Sequence, residues 1–194
     1  MNKQVKEAIK VLKNGGIVIF PTDTAFGIGC RVDNEEAVGR LFEIRRRPKT
    51  KAVPALFSSI DMVKKYAETI PQKAERLMKK YWPGALTLIL QCNRVKIPSL
   101  VRGGGQTLGV RIPNHKMLQE IISRVGVPIL GPSANFSGER TPFKFEDLNP
   151  ELVKQTDYVL NGIVGLEKKV STVIDCTVEP WKIIREGAVK ISNF

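Results

Sequence analysis

Histidine is almost missing from this chain. His115 is the only one among 194 residues, which excludes a multi-histidine metal centre and leaves little room for a Ser-His-Asp triad. Cysteine is scarce as well. Cys30, Cys92 and Cys176 are widely spaced and form no CxxC pair, so neither a disulfide framework nor a zinc site is expected and a reducing compartment fits. No apolar run approaches the roughly 18 residues of a membrane span, and the N-terminus lacks the apolar segment of a signal peptide. The expectation is a soluble, cytoplasmic protein with no membrane contact, on which the Asn135-Phe136-Ser137 sequon is empty. Aromatic residues make up 7% and follow no RNP-like pattern, so base stacking is poorly supported. Negative charge is the last shortage. Nineteen Asp and Glu face 31 Lys and Arg, and the formal charge of +12 favours anionic partners such as nucleotide phosphates or RNA.

What is present is organised around Ile17-Val18-Ile19-Phe20, an apolar and mostly β-branched run that reads as a strand buried on both faces. Pro21 ends the pairing, and Thr22, Asp23 and Thr24 then place three oxygen-bearing side chains at the strand end, where ligands of α/β sheets commonly bind. The competing reading is a Thr/Asp turn between two strands. With 42% hydrophobic residues and no repeat, low-complexity tract or linker, residues 1–194 are expected to form one domain.

Val5, Ala8, Ile9 and Leu12 recur at helical spacing ahead of Gly15-Gly16. A strand near Phe26–Cys30 precedes a helix opened by Asp33-Asn34-Glu35-Glu36 and ending at Arg45-Arg46-Arg47. Ala52–Phe57 reads as a short strand at an edge or bulge because of Pro54. Helices near Ile60–Ala67 and Gln72–Tyr81 come next, then strands at Leu86–Gln91 and Thr107–Ile112, a helix at Lys116–Val125 and a strand at Val127–Leu130. A short helix after Asn149-Pro150 leads to strands near Tyr158–Leu160, Thr172–Asp175 and Lys182–Arg185. Helices and strands interleave, but several strand-to-strand steps are too short for a crossover helix. The fold class is therefore α/β, with a mixed parallel and antiparallel sheet flanked by helices.

Several stretches could carry chemistry. Arg45–Lys51 holds five cations in seven residues, more than dipole compensation at a helix end needs, and reads as a phosphate clamp. Gly103-Gly104-Gly105 misses the spacing of a phosphate loop and precedes a strand, so it reads as a flexible loop. Alternation sends Thr107, Gly109 and Arg111 to one face, pairing a hydroxyl with a guanidinium. Pro132-Ser133-Ala134-Asn135 follows a buried strand and can offer amides and side chains to phosphate oxygens. Ser171-Thr172 and Arg185-Glu186-Gly187 stand at strand ends. Together these residues contain no evident nucleophile, metal cage or histidine base, which suits phosphate chemistry achieved by positioning and charge.

With those residues in order, the chain resembles the YrdC-like family of threonylcarbamoyl-AMP synthases. The matching segments are PTDTAFGIG, RRRP, WPGALTLIL, TLGVRIPNH, GPSANFSG, STVID and REGAV, in the family's order between Ile17 and Val189. The resemblance implies a twisted mixed sheet around a deep basic cavity. It also implies a reaction joining L-threonine, bicarbonate and ATP, with Mg2+, into threonylcarbamoyl-AMP and pyrophosphate. A tRNA-modifying threonylcarbamoyl transferase complex would consume the product, and direct contact with tRNA or double-stranded RNA is a further expectation. Carried onto matching positions, Thr24, Arg111, Gly131 and Ser171 would hold threonine. Arg47, Lys51, Thr107, Ser133, Thr141 and Arg185 would hold ATP, and Asn135 completes the family's SxN element. Arg45 and Arg47 are the implied catalytic pair, although the family's Lys-x-Arg motif stands here as Arg45-Arg46-Arg47. No protein metal site is expected. The alternative is an RNA-binding paralogue without synthase activity.

Overall fold

The computed structural model describes residues 2–165 and 168–191. Val5, Ala8, Ile9 and Leu12 are all buried along α1 (Lys3–Lys13), which Asn2 caps. The next strand, β1 (Val18–Pro21), is buried throughout. It pairs antiparallel with β2 (Phe26–Gly29) on one side and parallel with β7 (Tyr158–Val159) on the other, making a three-stranded sheet. Its alternation explains the two-faced burial expected of it. Ile19 enters the main core with Phe26, Leu41 and Leu88, whereas Val18 and Phe20 join a second cluster with α1 and α5 (Lys116–Val125).

The second sheet has six strands in the order β6 (Ile129–Leu130), β3 (Ala55–Leu56), β5 (Thr107–Arg111), β4 (Leu86–Gln91), β8 (Thr172–Asp175) and β9 (Lys182–Arg185). β3/β5 and β4/β8 are parallel and the other pairs antiparallel, so the expected mixed arrangement is present, distributed over two ladders. The helices α2 (Glu35–Ile44), α3 (Ile60–Tyr66), α4 (Gln72–Tyr81) and α6 (Pro150–Lys154) complete the chain. β3 corrects one expectation. It lies inside the sheet, between β6 and β5, because Pro54 sits just before the two paired residues and its missing N–H falls outside the ladder.

The sheets meet where β2 runs beside residues 128–134. Ile28 N donates to Pro132 O, Leu130 N to Cys30 O and Ala134 N to Phe26 O. The approach is so close that a Cβ on Gly29 would collide with the Leu130 carbonyl. Gly29→Ala is accordingly expected to destabilise the fold by about 3 kcal/mol, since backbone must move. Gly39, inside α2 with open space around it, is the control. There alanine should stabilise by up to about 1 kcal/mol. Urea denaturation of the two variants tests both signs, and equal midpoints would mean the sheet junction is loose.

Candidate active site

Between the two sheets lies a cavity of about 190 Å3. Its wall includes four arginines (Arg45, Arg47, Arg111 and Arg185), the hydroxyl residues Thr22, Thr24, Thr87, Ser133, Thr141 and Ser171, and, among the described residues, no carboxylate.

The turn after β1 is the Thr/Asp turn weighed from sequence, and Thr22 and Thr24 within it border the cavity. Thr22 N donates to Ala25 O, and the Thr22 hydroxyl donates to the same carbonyl at 2.7 Å while accepting from the amides of Thr24 and Ala25. Thr22 thus ties the turn. Its neighbours serve Arg111, which stands at the C-terminal end of β5 with 6% of its surface exposed. Asp23 Oδ1 lies 2.5 Å from Arg111 Nη2, Thr24 Oγ1 accepts from Nη1 at 2.9 Å, and Gly84 O accepts from Nε at 3.0 Å. Burial lowers the Arg111 pKa from the usual guanidinium range, and the Asp23 charge opposes that shift. The Thr22 and Thr24 hydroxyl oxygens lie 3.0 Å apart, so the two side chains and Arg111 form one polar cluster.

Arg45 and Arg47 reach the cavity through the end of α2. Arg46 N donates to Glu43 O and Arg47 N to Phe42 O, a Schellman closure with Arg46 in the left-handed position at φ 50°. Glycine normally fills that position, so a non-glycine residue there carries a backbone cost of about 1 kcal/mol or more. The reversal puts Arg45 and Arg47 on the cavity wall and sends Arg46 outward, where it covers the Phe136 ring at 4.1 Å. Arg45 is 3% exposed, so the solvated-face reading of the cluster does not hold for it. Its pKa is lowered to about 10 by burial and by the Arg47 charge, which still leaves it protonated at neutral pH. Arg47 is half-buried and donates to the backbone carbonyls of Lys51 and Ala52.

On the opposite wall Ser171 joins three elements. Its hydroxyl lies 2.9 Å from Thr87 Oγ1 of β4 and accepts from Arg185 Nη2 at 2.9 Å, while Ser171 O accepts from Arg185 Nε. Gly131 closes the wall against Leu56, whose side chain would collide with any Cβ there. A second recess of about 200 Å3 shares Pro54, Thr87 and Arg185 with the first and is lined by Thr107, Gly109, Ile89 and Val173.

The structure therefore brings together Thr24, Arg45, Arg47, Arg111, Gly131, Ser133, Thr141, Ser171 and Arg185, with Thr107 in the adjoining recess. Lys51 lies on the exposed turn and joins through its carbonyl. Asn135 is not on the cavity wall. Its amide holds the loop by donating to Phe136 O and Glu139 O. Sequence reasoning missed Thr87 and the pairing of Asp23. A lone threonine among the apolar residues of β4 was the available signal for the first; nothing local marked the second.

Other reactive groups are accounted for. His115 Nδ1 accepts from Leu118 N and caps α5. Burial pushes the Cys30 and Cys176 thiols up to about 12, far from a nucleophile's range. Among the described residues no three His, Cys, Asp or Glu side chains cluster to hold a metal ion, and no helix is long and apolar enough to cross a membrane.

The Sua5/YciO/YrdC family, described under the heading telomere recombination, matches residues 10–187. Threonylcarbamoyl-AMP synthase of Bacillus subtilis is 33% identical over 189 residues, covering 96% of this chain and 54% of that protein. The synthase of Vibrio vulnificus is 31% identical and is matched over its whole length, against 96% of this chain. The crystal structure of Pyrococcus abyssi Sua5 complexed with L-threonine superposes with a TM-score of 0.90 at 33% identity, covering 94% of this chain and 54% of that one. The chain thus spans about half the length of some of the curated relatives it matches. Similarity of this extent, in sequence and in fold, has one consequence: the chain belongs to the Sua5/YciO/YrdC family.

Proposed function

We propose that this protein is an L-threonylcarbamoyladenylate synthase, converting L-threonine, bicarbonate and ATP into threonylcarbamoyl-AMP and pyrophosphate. The observation that carries the reading is a cavity lined by four arginines and six hydroxyl residues, with no carboxylate, histidine or cysteine among the described residues of its wall. Such a wall sets its hydroxyls among guanidiniums, not beside a base that would activate one as a nucleophile, and has much for holding anions in register.

The chemistry balances in two steps. The threonine nitrogen bonds to the bicarbonate carbon as water leaves with one proton, giving a carbamate. A carbamate oxygen then bonds to the α-phosphorus of ATP, and the bond to the departing pyrophosphate breaks with its electron pair. In this reading Thr24, Arg111, Gly131 and Ser171 hold threonine. Arg47, Lys51, Thr107, Ser133, Thr141 and Arg185 serve ATP, Asn135 supports them by holding the loop that carries Ser133, and the apolar second recess is available to the base. Mg2+ would arrive on the triphosphate as part of the substrate, with phosphate oxygens and water as ligands, since the described residues form no cage for it. The product would pass to a tRNA-modifying transferase complex in the cytoplasm.

Purified protein with Mg-ATP should release pyrophosphate only when threonine and bicarbonate are both present. Release indifferent to threonine would overturn the reading. Tight RNA uptake without threonine-dependent ATP binding would replace it with an RNA-binding paralogue.

Arg111 gives a finer test. Three of its five N–H groups are held by Asp23, Thr24 and Gly84, leaving two for a substrate carboxylate. Lysine cannot serve all of these at once. Arg111→Lys is expected to raise the threonine KM by about 10–100-fold, the cost of a charged hydrogen bond, and to change the ATP KM by less than about threefold. Equal effects on both would assign Arg111 to the phosphates or to the scaffold.

A further inference from the structure

His115, the single histidine of the chain, is the side chain whose ordinary pKa of about 6.5 lies nearest to working pH. It holds an unusual post for an imidazole. Helix N-caps are normally Ser, Thr, Asp or Asn, but here His115 caps α5, its Nδ1 accepting from Leu118 N at 3.3 Å. An acceptor at Nδ1 leaves the ring proton on Nε2, so this cap needs the neutral imidazole. His115 also stands at a junction. It follows Arg111 by four residues, and its own N–H donates to Pro113 O, which ties the end of β5 to the start of α5. Along its other side runs the segment 160–165, whose Ile163 carbonyl interacts with the imidazole. That segment is bound down at both ends, since Leu160 N donates to Ile19 O and Gly165 N to Thr22 O. Gly165 lies so near the turn after β1 that a Cβ there would collide with the Asp23 carbonyl.

Among the described residues, the charge that bears on His115 from the turn after β1 is Asp23, which also pairs with Arg111. On its own helix the flanking cation is Lys116. Burial holds the imidazole below its usual range, against the pull of Asp23 and the Ile163 carbonyl. The positive end of α5 disfavours the imidazolium as well. Two things change when a proton arrives. Nδ1 becomes a donor facing the Leu118 N–H, so the cap is lost and the first turn of α5 loosens. The new cation then competes with Arg111 for Asp23, so the guanidinium is held less firmly in one orientation.

We propose that neutral His115 is a positioning residue for Arg111, a latch that fastens α5 and the 160–165 segment around the Asp23–Arg111 pair, and that mild acid opens this latch and weakens the grip on a substrate carboxylate. The choice of threonine as that substrate rests on the synthase reading; the latch does not. Its test uses the full chain without ATP, phosphate or bicarbonate, which themselves titrate in the same window. A lone histidine gives one imidazole signal in the 1H NMR spectrum and needs no assignment. Its titration midpoint should lie below about 6.5. A folded-state value depressed in this way contributes stability that is complete above about pH 6.5 and is lost as pH falls through it. His115→Asn supplies a preferred capping side chain that does not titrate. Between about pH 7.5 and 5.5 the urea midpoint of wild type should therefore fall further than that of His115→Asn.

Calorimetry with L-threonine reads the link to Arg111. Over the same interval the wild-type threonine Kd should rise at least about fivefold, the lower end of ordinary coupling between two sites, while that of His115→Asn stays level. Coupling is reciprocal, so saturating threonine should push the imidazole midpoint lower still. Equal losses of urea midpoint in the two proteins, or an imidazole midpoint at or above about 6.5, would overturn the latch. The same change of threonine affinity with pH in both proteins, or none in wild type, would overturn its action on Arg111. A chain that takes up no threonine at any pH, yet loses its acid sensitivity on His115→Asn, would uphold the latch and reject the synthase reading instead.

Discussion

Replacing Asp23 by alanine should cost the folded state about 3–5 kcal/mol, the range found when one partner of a buried ion pair is removed. Asp23 and Arg111 side chains are only 14% and 7% exposed, and their closest atoms are 2.5 Å apart. Without Asp23 the guanidinium keeps Thr24 Oγ1 and Gly84 O but loses the charge that offsets its burial. Domains of this kind are stable by about 5–15 kcal/mol, so the loss takes a large share of the total. Asn at this position preserves an acceptor without the charge, and Asp23→Asn should fall between wild type and alanine. Urea denaturation measures the series. A carboxylate ligand should restore part of the loss, so threonine is expected to raise the melting temperature of Asp23→Asn more than that of wild type. An alanine variant as stable as wild type would mean that Arg111 finds its compensation elsewhere in the cavity.

That pair also marks the limit of what could be read without coordinates. Elements with a clear apolar period were legible. The Val5, Ala8, Ile9, Leu12 stripe of α1 and the Leu118, Ile121, Ile122, Val125 stripe of α5 are both buried as helical spacing requires. Strand β1 was legible for a different reason, since its unbroken β-branched run leaves neither face for solvent. Pairing was not legible. Nothing near Ala55 announces that β5 and β6 will flank it, and Pro54 argued for an edge. The site was readable where a residue's type exceeded what its local structure needs, as with five cations at one helix end. It was unreadable where long-range contact defines the role. Asp23 meets Arg111 from 88 positions away, and Thr87 meets Ser171 from 84. Arg46 shows a third kind of silence. A left-handed helix end is normally signalled by glycine, and here an arginine occupies it, so the inward turn of Arg45 and Arg47 carried no local mark.

Arg45→Ala should lower turnover by about 10²–10³, the usual cost of losing one preorganised charged donor. Arg45→Lys should retain most of the activity. The reasoning starts from protonation. Burial and the Arg47 charge bring Arg45 down to about 10, so at neutral pH roughly one molecule in a thousand lacks the proton. A group so seldom deprotonated is unsuited to act as a base, and its contribution must come from charge and hydrogen bonding. The sign of its stability effect follows from the same shift. A cation whose pKa is depressed by folding destabilises the fold wherever it is charged, and that cost is relieved only as pH rises through about 10. At working pH the cost is standing, and an anion bound against Arg45 recovers it. Lysine keeps the charge and loses the planar fork, so it should support most of the turnover. Alanine removes both. Steady-state rates for the three proteins, with threonine, bicarbonate and Mg-ATP each saturating, make the comparison. Alanine turning over as fast as wild type would leave the anion clamp to Arg47 and Lys51, and would make the buried guanidinium of Arg45 a packing feature of the α2 turn.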